Sequence, residues 1–135
     1  MTRRRRRVDV AKEVITVPNS PKYPFSPAIR AGDYIFVSGQ GGFIDAEGRE
    51  VKGIEAQTKQ CLENIKQILE TAGASLADVV KVTIFLGNVA DYDKMNEVYQ
   101  SYFPQNYPTR SASVTGLVMP NMLIEMECIA YSPES

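Results

Sequence analysis

The stretch MLIEMECIAY, residues 122–131, decides the fold because its side chains separate into two faces of different chemistry. Strict alternation of this kind predicts a β-strand, since successive side chains of a strand point to opposite faces of the sheet. One face is uniformly apolar and suited to lie under helices: Met122, Ile124, Met126, Cys128 and Ala130. The other mixes aliphatic residues with carboxylates: Leu123, Glu125, Glu127 and Ile129. A mixed face suits a subunit interface that holds a polar site.

Upstream patterns predict further strands and two helices on one face of a sheet. In chain order we predict strands at 14–17, 28–30 and 34–38, a helix at 54–72, a strand at 79–86, a helix at 90–103, and strands at 111–118 and 122–131. Gly73 is a natural helix stop, and Ser75 with Asp78 resembles a capping box. The order β-β-β-α-β-α-β-β, with strands mostly of the hairpin type, predicts an α+β fold. We expect the last two strands to pair as neighbours across a turn at 119–121.

Length and composition restrict the chemistry. The chain has 135 residues, which fits one domain, and we assign residues 13–135 to it. Two cysteines and no histidine leave too few ligands for a structural zinc site and exclude Ser-His and Cys-His catalysis. We therefore expect no metal and no cofactor, with Cys61 and Cys128 as buried thiols. No apolar run approaches the ~20 residues of a membrane span, and no secretory signal is recognisable, so we expect a cytoplasmic protein without a membrane partner.

The charge is uneven along the chain. Arginines occupy positions 3–7 within residues 1–12, which we interpret as a disordered tail; a nucleic-acid arm or a targeting segment is the alternative. Beyond residue 7 the chain carries 10 positive and 16 negative side chains, a net charge of −6. Proteins that bind nucleic acid normally present a basic surface on the folded body, so this balance makes nucleic acid an unlikely partner.

Arg110 and Glu125 are the candidate catalytic residues. Arg110 lies where a loop enters a predicted strand, and its planar guanidinium can bind a carboxylate bidentately. A structural ion pair is the alternative. Glu125, fifteen residues later, could take or relay a proton if burial raised its pKa. The alternative is that Glu125 is an exposed strand residue without a catalytic role. Their expected position on neighbouring paired strands strengthens the catalytic interpretation of both.

Four motifs in a fixed order resemble one protein family. They are Ser38-Gly39-Gln40 after an aliphatic strand, Asn64 with the strand 80–86, Asn96-x-x-Tyr99-x-x-x-Phe103, and Pro108-Thr109-Arg110-Ser111 with Ile124-Glu125-Met126. Together they are similar to the reactive-intermediate deaminase (Rid, YjgF-type) family, also known as endoribonuclease L-PSP-like, over about residues 13–131.

The resemblance implies a chorismate-mutase-like fold and homotrimers whose sheets enclose a central barrel, with three clefts between subunits. It also implies hydrolysis of enamine and imine acids, such as 2-aminoacrylate, to 2-oxo acids and ammonia. On this mapping Arg110 binds the substrate carboxylate and Glu125 positions or activates water. The backbone around Ala112 orients the imine, while Ser38 and Asn96 line the cleft.

Two positions depart from the usual pattern of the family. Phe25 stands where many active members have tyrosine, and Ala112 where cysteine is common. Phe25 is thus a substrate-binding candidate without a hydroxyl. The leading interpretation is a 2-iminobutanoate/2-iminopropanoate deaminase-like hydrolase. The alternatives are a trimer that binds or senses 2-oxo acids, and an RNA-acting protein or ribonuclease.

Overall fold

The computed structural model describes residues 12–18, 20 and 22–133. Its strands are β1 (Glu13–Ile15), β2 (Ala28–Ala31), β3 (Tyr34–Gly41), β4 (Val79–Leu86), β5 (Thr109–Val114) and β6 (Ile124–Tyr131). Its helices are α1 (Ile54–Thr71) and α2 (Tyr92–Tyr102), with short 3-10 turns at Leu76–Asp78 and Val89–Asp91. The predicted element order and the α+β class are confirmed.

All six strands form one sheet in the order β1-β2-β3-β6-β4-β5. Helix α1 lies across β3 and β6 and packs against α2. Every residue of the predicted apolar face from 124 to 130 is buried, and the buried side chains of α1 meet it: Cys61, Leu62, Ile65 and Leu69. The opposite, open face keeps large side chains in solvent, with Phe36 46% and Tyr131 45% exposed. The prediction of two different sheet faces is therefore confirmed.

The predicted pairing of the last two strands is wrong. Strand β4 lies between them, antiparallel to β6 and parallel to β5. Helix α2 connects β4 to β5, and a connection through a helix returns the chain in parallel. Six residues long and largely exposed on both faces, β5 takes the edge of the sheet. Strand β6, with one fully apolar face, takes the centre.

Several predicted boundaries shift for identifiable reasons. Strand β3 continues past Ser38 to Gly41, and β5 covers 109–114 rather than 111–118. Strand β6 begins at Ile124 because the backbone N–H of Leu123 donates to Gln57 Oε1 at 2.9 Å. Buried Gln57 also donates to the carbonyls of Val51 and Asn121, which fixes the turn that leads into β6.

The predicted signals between α1 and β4 are confirmed. Gly73 follows α1 with φ 85°, a conformation that favours glycine. The Ser75 backbone N–H donates to Asp78 Oδ2 at 2.9 Å within a complete capping box. The prediction of a tail concerns residues 1–12, of which 1–11 lie outside the described residues. No helix in the described part of the chain is long and apolar enough to cross a membrane.

Candidate active site

Arg110, the second residue of β5, is held by one side of α2. Its Nη1 donates to Asn96 Oδ1 at 2.7 Å, and its Nη2 donates to the Tyr92 hydroxyl oxygen at 2.9 Å. The Tyr99 ring lies beneath the guanidinium, with its centroid 4.9 Å from Cζ. Residues 92, 96 and 99 have the i, i+4, i+7 spacing that aligns side chains on one helix side. We call Tyr92, Asn96 and Tyr99 the α2 cradle.

The α2 cradle is electrically neutral and does not compensate the guanidinium charge. Among the described residues, Arg110 forms no ion pair with a carboxylate. The guanidinium has five N–H donors, and the two hydrogen bonds to the cradle leave three of them for other acceptors. The structural ion pair considered from the sequence is therefore not what holds Arg110.

Tyr99 adds an unusual feature to the α2 cradle. Its side chain is buried, and its hydroxyl has no hydrogen-bond partner in the described part of the chain. Burial raises the pKa of Tyr99 to about 12, although the nearby charge of Arg110 acts in the opposite direction. Tyr99 therefore remains a neutral phenol at physiological pH and contributes its ring to the cation–π contact.

Glu125 lies on the open face, against a bulge in β3. Between Val37 and Gln40 the register of β3 with β6 shifts by one residue, so that Ser38 and Gly39 of β3 stand opposite the single residue Glu127 of β6. A Cβ at Gly39 would overlap the carboxylate of Glu125, so glycine at this position lets the carboxylate keep its present orientation. Burial raises the pKa of Glu125, and the charge of Glu127 raises it further. These features are consistent with the base proposed from the sequence.

Ser38 anchors the loop that carries Phe25. The Ser38 hydroxyl donates to the Ser26 carbonyl at 2.6 Å, which uses the donor that could otherwise contact a ligand. The ring of Phe25 is 54% exposed and stacks on Tyr23 with centroids 6.1 Å apart. A cavity of about 420 Å³ extends from Phe25 past Gly39 to α1. Ser38 and Phe25, both candidates from the sequence, therefore lie close to Gly39, whose backbone lies beside the Glu125 carboxylate.

Ala112 lies two residues beyond Arg110 on β5. It pairs with Ile84, whose side chain is buried beneath the helices, so the methyl group of Ala112 belongs to the same face as Arg110. Ala112 is exposed at the sheet edge. Among the described residues, β5 has a neighbouring strand on one side only, so the other side of the strand is open to a ligand or a second chain.

The candidate residues form two sets on opposite faces of the sheet. Arg110, Asn96 and Ala112 belong to the helix-covered face, because Arg110 pairs with buried Val82 and contacts α2. Glu125 pairs with Phe85 and belongs to the open face. A small ligand cannot contact Arg110 and Glu125 of one chain through the intervening sheet.

Neither cysteine belongs to these sets. Both thiols are free and buried. Burial raises the pKa of Cys61 far above its usual range and raises that of Cys128 to about 12. The prediction of buried thiols is confirmed. Among the described residues, no group of three or more His, Cys, Asp or Glu side chains is arranged to hold a metal ion.

Sequence reasoning missed three contributors: Tyr92, Tyr99 and Gly39. Tyr92 lies within the predicted helix 90–103 and Tyr99 within a quoted motif, and their i, i+4, i+7 spacing with Asn96 is the signal that could have identified them. Gly39 was quoted within a motif without a role. Asn64, quoted in the same way, donates to the Gly41 carbonyl at 2.9 Å and so ties α1 to the end of β3.

The fold and these sets define a class: an α+β protein with an uncompensated arginine at a sheet edge and a glutamate on the open face. A family model described as Endoribonuclease L-PSP matches residues 17–132. The chain belongs to this family, which includes the YjgF, RutC and Rid proteins, and the resemblance found in the sequence is confirmed.

Individual relatives align over most of their length. A RutC family protein of Pyrococcus abyssi is 51% identical over 90% of this chain and 98% of its own. The human 2-iminobutanoate/2-iminopropanoate deaminase is 34% identical over 88% and 89%. The crystal structure of Escherichia coli TdcF with bound serine superposes with a TM-score of 0.82 at 30% identity, covering 88% and 98%. Rid proteins at this similarity thus include ones named as deaminases.

Proposed function

We propose that the protein hydrolyses small 2-imino and enamine acids of the 2-aminoacrylate type to 2-oxo acids and ammonia. The observation that carries the proposal is Arg110, which is fixed by neutral groups and left without a carboxylate partner among the described residues. A buried or strand-edge guanidinium with free donors is suited to bind a ligand carboxylate bidentately. The human relative named as an imine deaminase supports the same chemistry.

The reaction needs one proton acceptor and no redox step. Water attacks the C2 carbon of the imine, forming a C–O bond while the C=N π electrons move to nitrogen. Glu125 accepts a proton from the water and passes it to nitrogen, which gives a carbinolamine. Glu125 then takes the hydroxyl proton of the carbinolamine and delivers it to nitrogen, so that the C=O bond of the 2-oxo acid forms as the C–N bond breaks and ammonia leaves. Burial raises the pKa of Glu125, a shift in the direction that makes a carboxylate a stronger general base. The exposed backbone around Ala112 is the proposed contact for the imine nitrogen.

The two residue sets require a second copy of the chain in this mechanism. Arg110 of one subunit and Glu125 of the next can meet only where the β5 edge approaches a neighbouring open face. The exposed aromatic rings of Phe36 and Tyr131 on that face provide apolar area for such an interface. The assembly we propose is a homotrimer with one site at each interface. Light scattering that gave the mass of a single chain would contradict it.

Turnover is tested by a coupled assay. A PLP-dependent dehydratase generates 2-aminoacrylate or 2-aminocrotonate, and the protein should accelerate the appearance of the 2-oxo acid. A protein that only binds 2-oxo acids would leave this rate unchanged. The serine bound to TdcF shows that a family member holds a small amino acid, so a binding role is the second candidate.

Shared sites are tested by mixing two inactive variants. Arg110→Ala and Glu125→Gln homotrimers should each be nearly inactive, but after subunit exchange some interfaces regain an intact pair. Random mixing of equal amounts should restore about a quarter of the wild-type activity, since each of the two interface residues is intact with a probability of one half in a symmetric ring. No recovery after demonstrated subunit exchange would mean that Arg110 and Glu125 do not act across an interface.

A ribonuclease role, suggested by the description of the family model, has weaker support. Binding along an RNA backbone needs several Lys or Arg side chains on one surface. The chain beyond residue 7 has a net charge of −6, and the open face carries Glu125 and Glu127. Loss of RNA binding when residues 1–9 are deleted would locate any such activity in the arginine run.

A further inference from the structure

We infer that Tyr92 is a positioning residue for the ligand-binding arginine, and that the neutrality of its cradle determines the affinity for anions. The inference rests on the proposed function in one respect, namely that Arg110 binds the ligand carboxylate. Tyr92 was not a candidate from the sequence. Its hydroxyl accepts the hydrogen bond of Arg110 Nη2 at 2.9 Å, while Asn96 accepts that of Nη1 at 2.7 Å.

Two acceptors on different nitrogens fix the rotation of a planar guanidinium. A single hydrogen bond would allow the planar group to turn about the Cδ–Nε bond. With Tyr92 on Nη2 and Asn96 on Nη1, that rotation would break both hydrogen bonds. The ring of Tyr99 beneath Cζ prevents the group from tilting out of its plane. Tyr92 therefore selects which edge of Arg110 is presented to a ligand.

The acceptors are also neutral, and this is a separate property. Asp and Glu are the usual partners of arginine, and either would orient the guanidinium at least as firmly through a charge-assisted hydrogen bond. A carboxylate partner would, however, compensate the positive charge and compete with an incoming anion. A phenol and an amide orient Arg110 without neutralising its positive charge, which stays available to bind an anionic ligand. The ligand class that fits is a small carboxylate.

Tyr92 is accessible enough to act at a binding site and not only in the core. Its side chain is 39% exposed, in contrast to the buried Tyr99.

Tyr102 on the same helix provides a matched control. Its hydroxyl donates to Glu63 of α1 at 2.7 Å and has no contact with Arg110. Replacing Tyr92 or Tyr102 with phenylalanine removes one hydroxyl from α2 in either case, but only the first change frees the guanidinium.

Calorimetric titration with pyruvate, a stable 2-oxo acid, tests both parts. Tyr92→Phe should raise the Kd for pyruvate about tenfold, the size expected when a hydrogen bond involving a charged group is lost. Tyr102→Phe should leave the Kd unchanged. Asn96→Asp keeps the shape and the hydrogen bond but adds a negative charge, so it should raise the Kd more than Tyr92→Phe does. In the coupled assay, Tyr92→Phe should raise KM and change kcat little.

The possible outcomes separate the inference from the proposed function. An unchanged Kd in Tyr92→Phe, or an equal rise in Tyr102→Phe, would overturn the positioning role. Binding of pyruvate by Asn96→Asp as tight as in the wild type would overturn the role of neutrality. If the wild type failed to hydrolyse imines while the Kd values followed the expected order, the inference would stand and the proposed function would fail. If the wild type hydrolysed imines while Tyr92→Phe bound pyruvate with an unchanged Kd, the proposed function would stand and the inference would fail.

Discussion

Replacing Gly39 with alanine should disable the proposed site and leave the fold intact. Gly39 lies in the β3 bulge, where an added Cβ would overlap Glu125 Oε2 and lie 2.9 Å from Glu125 Cδ. Ordinary contact begins at 3.4 Å, so Cδ must retreat by about 0.5 Å and the oxygen further. The carboxylate would leave the position from which, in the proposed mechanism, it takes a proton from water.

The expected effect on stability is small. Gly39 is not among the glycines with positive φ, so alanine fits its backbone, and such a change stabilises a protein by roughly 0.4–1 kcal/mol through the unfolded state. The displaced atoms are the end of a flexible, half-buried side chain that can turn toward solvent. We expect the free energy of unfolding to change by less than about 1 kcal/mol. Activity should change far more, since misplacing a catalytic group by about 1 Å can reduce the rate a hundredfold.

A double-mutant cycle in the coupled imine assay tests this coupling. Gly39→Ala should lower kcat about a hundredfold in the wild-type background. In a Glu125→Ala background there is no carboxylate to displace, and the same change should have no further effect. Gly116→Ala is the control, because a Cβ there meets no atom within 4 Å. Wild-type kcat in Gly39→Ala, or an equal loss in both backgrounds, would refute the reasoning.

Three further predictions concern the arginine, the second carboxylate of the open face and the thiols. Arg110→Ala should lower kcat/KM about a hundredfold or more without dissociating the assembly, and Arg110→Lys should recover only part of this loss. If Arg110→Ala instead reduced the amount of folded assembly and left the specific activity unchanged, Arg110 would be a structural residue. Glu127→Gln removes a charge that raises the pKa of Glu125. The acidic limb of the pH–activity profile, where the ionised base is lost as pH falls, should therefore move to lower pH. An acidic limb at the same or a higher pH would contradict this. Burial raises the pKa of Cys61 and of Cys128, so a thiol reagent should label them only as fast as the protein unfolds. Rapid labelling of the folded protein would contradict this.

The sequence predicted elements well and strand neighbours less well. The alternation over 122–131 identified both faces of β6, because burial on one side leaves a period-two pattern. The same pattern carries no information about which strand lies alongside. Helix α2 between β4 and β5 was the available signal, since a strand–helix–strand connection in one sheet is usually parallel. The short turn at 119–121 predicts a hairpin between β5 and β6, and the parallel connection through α2 overrides it.

For the site, the sequence indicated residue types but not their grouping. Arg110 and Asn96 were both candidates, and the structure joins them by a hydrogen bond of 2.7 Å. Glu125 was expected beside Arg110, but an intervening strand and the alternation of side chains place it on the opposite face. The bulge at Ser38 and Gly39 depends on the register of two distant strands, which no local pattern records.

Among the described residues, the groups that lower folding stability lie in or beside the two sets of candidate residues, one on the helix-covered face of the sheet and one on the open face. Tyr99 buries a hydroxyl without a partner, and Arg110 has no carboxylate to compensate its charge. The pKa of Glu125 is raised, so this residue contributes stability below its unfolded pKa that is lost as pH rises through the folded value. Buried Arg30 donates to the carbonyls of Ser132 and Ala72 and so serves the fold. Selection for folding alone would favour partners for such groups, so the unpartnered Tyr99 hydroxyl and the uncompensated Arg110 support the proposal that a ligand binds beside them.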